Sequence, residues 1–454
     1  MKISSVDPSN NKLNKSFTVF TKTKSLDIAR EAKEAFLDWK NLGVSKRAAY
    51  LRNLSKVLRE KKEDYARLIT IEMGKPIGQS LSEVEKCAWT ADFFADKSEK
   101  WLSDEPIEMD GQKAFLSFEP IGEVLAIMPW NFPFWQALRC AIPALVAGNV
   151  VVLRHSNIVP LCALAIEKAF SLAEFPENVF RTTITDHTVV DELIKSRYVD
   201  GVSITGSVET GRTVAKIAGE SLKKCVLELG GSDPFIVLED ADVELACKSA
   251  FTSRLISNGQ SCICAKRFIV IKERFNEFVS KFVSLMSAAK IGTPLDRFTD
   301  VGPLASAQQL KTIEAQVNDA KKKGAKIECG GKRLGDKGFF FEPTVITNVK
   351  SDMRIAKEEV FGPVAVILPA RNEQEVLQIA NDSNFGLGGS VWTTDSKKGE
   401  RMARALESGM IYVNDFTKSD PRIPFGGVKD SGIGRELSRY GLLEFINIKP
   451  IILK

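Results

Sequence analysis

The stretch VLAIMPWNFPFWQALRCAIPALVAGNVVVL, residues 124–153, decides the fold. VLAIM (124–128) and VVVL (150–153) are short apolar runs, and the segment after Pro133 between them reads as a helix. Strand, proline-fixed loop, helix and strand make a βαβ unit. The alternation continues in VFRTTI (179–184), GVSIT (201–205) and CVLEL (225–229), which predicts a mostly parallel sheet with helices on both faces. A second set follows: FIVL (235–238), RFIVI (267–271), AVILPA (365–370), GSVWTT (389–394) and MIYVND (410–415). It predicts a second α/β unit.

Upstream, residues 25–101 read as helices with polar punctuation. Ser25 is expected to cap a first helix that ends at Gly43, and Ser45 a second with Ala48, Leu51, Leu54 and Val57 at helical spacing. Ser80 or Ser82 would open a third through Trp89, Phe93 and Phe94. Downstream, Ser306 to Lys323 is a helix closed by Gly324, and its KKK run (321–323) is a solvated end that suits the dipole. AFLSFEP (114–120), reached through the Asp110-Gly111 turn, and EFINIKPIILK (444–454) alternate like strands outside both sets. They predict a protruding sheet, a sticky edge unless another subunit pairs with it.

Only two histidines, His155 and His187, occur in 454 residues. A multi-histidine metal site is therefore excluded, and a Ser-His-Asp triad would have to use one of these two. No metal is expected. If the chain is an enzyme, its base is a carboxylate and its nucleophile a cysteine. A net charge of +5, from 63 basic and 58 acidic residues, gives no clustered footprint for nucleic acid. No run approaches the ~18 apolar residues of a membrane span, and MKISSVDPSNNKLNKS lacks the apolar stretch of a secretory signal. The 8 cysteines are scattered and read as free thiols, so a cytoplasmic location is expected.

Four segments could carry chemistry. In Asn258-Gly-Gln-Ser-Cys-Ile-Cys (258–264), Cys262 follows a tight Asn-Gly turn, where a thiol can be exposed and activated. An adventitious cysteine is the competing reading. Glu228, in Val-Leu-Glu-Leu-Gly-Gly (226–231), ends an apolar strand, where burial raises a carboxyl pKa toward the range of a general base. A salt-bridged strand-end glutamate is the alternative. Asn131 in Pro129-Trp-Asn-Phe-Pro133 presents an amide donor in a fixed direction, as an oxyanion stabiliser requires. Gly206-Ser-Val-Glu-Thr-Gly211 offers helix N-terminal amides to a phosphate, or simply an N-cap.

Taken in order, Pro129-Trp130-Asn131, Thr205-Gly206-Ser207, Glu228-Leu229-Gly230-Gly231, Asn258 to Cys262, Glu359-Val360-Phe361-Gly362-Pro363 and Pro424-Phe425-Gly426-Gly427 closely resemble the aldehyde dehydrogenase superfamily. The resemblance spans essentially the whole chain and is greatest to the succinate-semialdehyde dehydrogenases. It implies an aldehyde dehydrogenase-like α/β fold with three parts. These are a Rossmann-like cofactor domain (1–100 and 120–228), an α/β catalytic domain (229–430) and a small β oligomerisation element (101–119 and 431–454) of a dimer or tetramer.

By the same resemblance, Cys262 attacks the aldehyde to give a thiohemiacetal, then a thioester. Asn131 and the Cys262 N–H hold the oxyanion, and Glu228 activates the hydrolytic water. Trp130, Ser156, Gly206, Ser207, Gly211 and Leu229 would border the cofactor, with Glu359 and Phe361 at its nicotinamide ribose and ring. Phe132, Trp135, Gln136, Arg139 and Ser419 would line the aldehyde tunnel. Arg139 would give a charge-assisted contact to a substrate carboxylate, a structural ion pair being the alternative. The expected reaction is oxidation of succinic semialdehyde to succinate. Other small aldehydes, transfer of the acyl group to coenzyme A, or a non-catalytic binding protein of this fold are the alternatives, and Glu228 argues against coenzyme A.

Two departures from the family pattern bear on specificity. The family often has a lysine and, three residues later, a glutamate after strand 150–153; here the stretch is Arg154-His155-Ser156-Asn157. An arginine accommodates a 2′-phosphate and an acid repels it, so Arg154 with Asn157 favours NADP over NAD. His155 could assist with the phosphate or be a plain loop residue, and His187 reads as a surface residue. Some members also carry a second arginine six residues before the nucleophile; Ile256 stands there, and Arg254 would point elsewhere. Finally, Cys264 sits where a reversible disulfide with Cys262 could switch activity off, a buried spectator thiol being the alternative.

Overall fold

The computed structural model describes residues 2–453. Its first α/β layer is a six-stranded sheet in the order Gly432–Ile433, Lys224–Glu228, Val199–Thr205, Glu123–Met128, Val150–His155, Phe180–Thr182. The last five strands are parallel and the first is an antiparallel edge. All six residues of Glu123–Met128 and of Val150–His155 are buried, which is why each reads as a continuous apolar run. The chain winds outward from Glu123–Met128 to Val150–His155 and Phe180–Thr182, then crosses back to place Val199–Thr205 on its other side. The strand order thus reverses between Glu123–Met128 and Val199–Thr205.

The second set forms a seven-stranded sheet in the order Lys326–Cys329, Thr344–Thr347, Val364–Ala370, Ala265–Ile271, Asp233–Val237, Gly388–Trp392, Met410–Val413. Only the Lys326–Cys329 edge is antiparallel. Gln112–Pro120 pairs on one side with Glu105–Met109 and on the other with the tail Ile446–Leu453, making a three-stranded sheet separate from the other two. Its outer strands leave Ile107, Met109, Ile448 and Ile452 exposed. Gly432–Ile433, close to that tail in sequence, instead extends the six-stranded sheet beside Glu228.

The expected helix starts need correction. The first helix is Lys22–Trp39 with Thr21 as its cap, and Ser25 lies within it, buried, its hydroxyl accepting from Thr183 Oγ1 at 3.1 Å. Val44–Glu60 begins after Gly43, before Ser45. Ile77–Trp101 begins after Pro76, so Ser80 and Ser82 lie in its early turns. There Ser80 pairs with Thr70 Oγ1 at 2.9 Å. In each case the serine serves another contact and a preceding residue starts the helix. Ser306 does cap Ala307–Lys322, its hydroxyl accepting from Gln309 N. An N-terminal hairpin, Lys2–Asp7 with Lys12–Thr18, was not legible in the polar N-terminus. Among the described residues, no helix is long and apolar enough to cross a membrane.

Candidate active site

The Pro129–Phe132 loop leaves the buried strand Glu123–Met128 and enters helix Pro133–Ala147, with Pro133 in its first turn as helix starts favour. Glu83, from helix Ile77–Trp101, accepts from Phe134 N (2.9 Å) and Trp135 N (3.0 Å) at this helix start. Its other oxygen pairs with Lys75, and both side chains are buried. Lys75 Nζ lies 3.6 Å from the Phe132 ring centroid, so one ion pair holds both loop and helix.

His155 fastens the same loop. Its Nδ1 accepts from Ser156 N at 2.9 Å, which leaves Nε2 protonated to donate to Pro133 O at 2.9 Å. Burial lowers its pKa to about 4, so it stays neutral and assists no phosphate. His187 is exposed at the start of helix His187–Lys195. Asn131 is aimed by this frame. Its Oδ1 accepts from Gln136 Nε2 (3.1 Å), and one Nδ2 hydrogen goes to Gln260 O (2.9 Å). The second amide hydrogen remains for an oxyanion.

The nucleophile loop is a bolted structure rather than the exposed turn its Asn-Gly pair suggests. Ser257 and Asn258 are left-handed (φ 53° and 58°), and Asn258 is fully buried. The Asn258 amide donates to Gly74 O and Pro303 O at 2.8 Å each and accepts from Gly302 N at 2.8 Å. Gly259 has φ +75°, and a Cβ there would lie 2.3 Å from Gly362 O. Buried Arg254 donates to Gly259 O (2.6 Å), Gly362 O (2.7 Å) and Ala265 O (2.8 Å), so it ties this loop to Glu359–Pro363 and does not reach the substrate. Lys266 donates to Ser261 O (2.9 Å) and Cys262 O (2.7 Å). A Cβ on Gly231 would fall 2.6 Å from Cys262 O, so only glycine lets the Glu228 strand end pass this close.

Cys262 is half-buried, and burial pushes its thiol up to about 12, with Arg139 opposing the shift. The resting sulfur is therefore a thiol that must lose its proton on attack. The Cys264 thiol is buried and donates to Ser261 O at 2.8 Å; a disulfide with Cys262 would have to draw it from that carbonyl.

Glu228 is buried at the end of Lys224–Glu228, and neither carboxylate oxygen has a hydrogen-bond partner. No salt bridge neutralises it among the described residues. Burial first, then the nearby Glu436, raise its pKa well above the usual carboxylate range, while Arg139 pulls it down. Arg139 itself is ion-paired to Glu436, bonded to Thr205 Oγ1 at 3.4 Å, and 4.2 Å from the Phe425 ring centroid. It is thus in the structural ion pair that the sequence left open, and it also faces the pocket.

That pocket, about 560 Å³, gathers Phe132, Trp135, Gln136, Arg139, Ser419 and Cys262 into one lining. Ile256 lines it too, as does Lys86, which sequence reasoning missed.

The expected cofactor residues cluster where the six-stranded sheet reverses order. Pro129–Asn131 and Gly206–Ser207 follow the carboxyl ends of the two strands flanking the reversal, where open α/β sheets bind ligands. Ser207 is the N-cap of Val208–Glu220, accepting from Thr210 N at 3.2 Å, and the helix end favours an anion. Gly211 is buried, and a Cβ there would lie 2.4 Å from Leu229 Cδ2, so Gly211 and Leu229 pack helix on strand. The Trp130 and Phe361 rings meet edge to face at 5.7 Å. Glu359 Oε1 accepts from Gly231 N at 3.0 Å. Ser156 and Asn157 are half-buried, and Arg154 is buried with its Nε unpartnered and Nη2 3.4 Å from Thr185 O. A buried guanidinium with an unpartnered Nε, at the carboxyl end of Val150–His155, fits a phosphorylated dinucleotide.

Glu436, Glu83, Lys75, Lys266 and Lys86 gave no sequence signal. Each is a single charge in a helix, strand or loop, and apart from Lys266, just after the Cys262 loop, each is remote in sequence from the residues it serves.

The sequence profile described as the aldehyde dehydrogenase family matches residues 1–451. A probable succinate-semialdehyde dehydrogenase [NADP(+)] of Synechocystis sp. is 43% identical over 99% of both chains. Succinate-semialdehyde dehydrogenase [NADP(+)] 1 of Mycobacterium tuberculosis is 42% identical over 99% of both chains. The crystal structure of succinic semialdehyde dehydrogenase from Streptococcus pyogenes in complex with NADP+ superposes with a TM-score of 0.97, at 35% identity over 99% of both chains.

Proposed function

The chain belongs to the aldehyde dehydrogenase family, and we propose that it oxidises succinic semialdehyde to succinate with NADP+. One observation carries the reading. The nucleophile Cys262 shares a single pocket with four cationic side chains, Lys86, Arg139, Arg297 and Lys418, and the hydroxyl of Ser419. An aldehyde that also bears a carboxylate matches that lining at both its ends.

The Cys262 sulfur attacks the aldehyde carbon as its thiol proton passes to solvent water in the pocket, and the carbonyl electron pair moves to oxygen. The free Asn131 amide hydrogen and the Cys262 N–H hold that oxyanion. When bound, NADP+ supplies the nicotinamide that accepts the hydride. Loss of hydride from the thiohemiacetal leaves an acyl thioester on Cys262. Glu228, its pKa raised above the usual carboxylate range by burial, takes a proton from water, and the hydroxide displaces the Cys262 thiolate as succinate forms. Glu228 favours water over coenzyme A as the acceptor.

The substrate reading is tested by kcat/KM for succinic semialdehyde against butyraldehyde, which lacks only the acid. A preference of roughly 10-fold or more is expected from one charge-assisted contact; equal values reject the carboxylated substrate. For the cofactor, Arg154→Glu is expected to weaken NADP+ binding by at least about 10-fold relative to NAD+. Dissociation constants measured by fluorescence titration decide it, and an equal loss for both rejects Arg154 as the phosphate partner.

A further inference from the structure

We propose that Lys86, with Ser419, is the cation that receives the substrate carboxylate; this rests on the reading of a carboxylated aldehyde given above. Lys86 projects from helix Ile77–Trp101 into the pocket that holds Cys262. Its Nζ hydrogen-bonds Ser419 Oγ and lies 4.3 Å from the Trp135 ring centroid. A hydroxyl and an aromatic face position the ammonium without neutralising it.

What distinguishes Lys86 is its missing partner. Arg139 has Glu436, Lys75 has Glu83, and Lys266 has Glu359 with the loop carbonyls. Among the described residues, no carboxylate forms a salt bridge with Lys86. The acids nearest to it are taken: Glu83 by Lys75, and Asp420 by Arg422 at 2.6 Å. On the outer face of its helix, Glu85 pairs with Arg59 and Lys62. Cys87, the next residue, is buried and its thiol is held neutral. Of the four cationic side chains in the lining, Arg139 is paired with Glu436, Arg297 with Glu63 and Lys418 with Asp415, and among the described residues Lys86 alone has no carboxylate partner.

Burial, and then the like charge of Arg139, lower the Lys86 pKa to about 8. The neutral amine therefore gains ground just above physiological pH, and a bound carboxylate would draw the proton back. Binding of a carboxylated aldehyde should weaken as pH rises through this range, whereas binding of an uncharged aldehyde should not.

The test compares wild type, Lys86→Met and Lys86→Arg on succinic semialdehyde and butyraldehyde, with kcat and KM from neutral to alkaline pH. Lys86→Met should raise KM for succinic semialdehyde roughly 10- to 100-fold, the range of a lost charged hydrogen bond. Butyraldehyde kinetics should change less than about 2-fold, and Lys86→Arg should recover most of the acid preference. The alkaline rise in KM should be present in wild type and absent in Lys86→Met. A wild type that prefers succinic semialdehyde, with that preference intact in Lys86→Met, overturns the proposal and leaves Arg139 as the receptor. Equal loss of turnover on both aldehydes in Lys86→Met also overturns it, as a structural effect. A wild type indifferent to the acid instead rejects the substrate reading itself.

Discussion

Glu228→Gln is expected to release about one NADPH per chain in a fast burst and then nearly stop, with steady-state kcat down roughly 10²- to 10⁴-fold. The substitution keeps shape and volume and removes only the ability to take a proton from water. Attack by Cys262 and loss of hydride do not use this carboxylate, so the acyl thioester forms and accumulates. The sign of the pH dependence follows from the raised pKa. At low pH Glu228 is a neutral acid and cannot act as base, so wild-type turnover should climb as pH passes through a value above the usual carboxylate range. That limb should vanish in Glu228→Gln.

Stability moves the opposite way. The folded state holds this proton more tightly than the unfolded chain, so stability is full below the ordinary glutamate pKa and falls as pH rises toward the folded value. Glutamine removes that penalty, and the variant should unfold at a temperature no lower than wild type at neutral pH. A stable protein with no burst would assign Glu228 to an earlier step.

Glu83→Ala is expected to be the more damaging change to the fold, by about 3–5 kcal/mol, the cost of breaking one partner out of a buried ion pair. Lys75 would be left fully buried without its carboxylate, and Phe134 N and Trp135 N would lose their acceptor. Because this pair holds the start of the helix beside Asn131, turnover should fall with stability. Urea midpoints check the first effect and kcat the second. Lys75→Met in the same chain should restore part of the stability, since no orphaned charge then remains; a double variant as weak as Glu83→Ala would contradict the ion-pair account.

The parts of this protein legible in sequence were those encoded by contiguous residues. VLAIM and VVVL are fully buried strands, and buried parallel strands show as unbroken apolar runs. The motif residues Asn131, Glu228 and Cys262 stand at strand ends or in loops where neighbouring prolines and glycines mark them. Helix starts were misplaced because a serine at a good capping position can be used elsewhere, as Ser25 and Ser80 are. The N-terminal hairpin was invisible because its second strand is almost wholly exposed and alternates weakly. What aims the catalytic groups was not legible at all. Glu436 reaches Arg139 from the far end of the chain, and Lys86 looks in sequence like any solvated helix lysine. His155, read as a loop residue with a possible phosphate role, is a neutral bolt under Pro133.

The covalent intermediate on Cys262 is the centre of the account, and intact-protein mass spectrometry of Glu228→Gln tests it most directly. After mixing with succinic semialdehyde and NADP+, the account predicts a mass gain of one succinyl group per chain, mapped by peptide analysis to Cys262 and lost on adding hydroxylamine. An unmodified protein after a full NADPH burst, or the adduct on another cysteine, would contradict it.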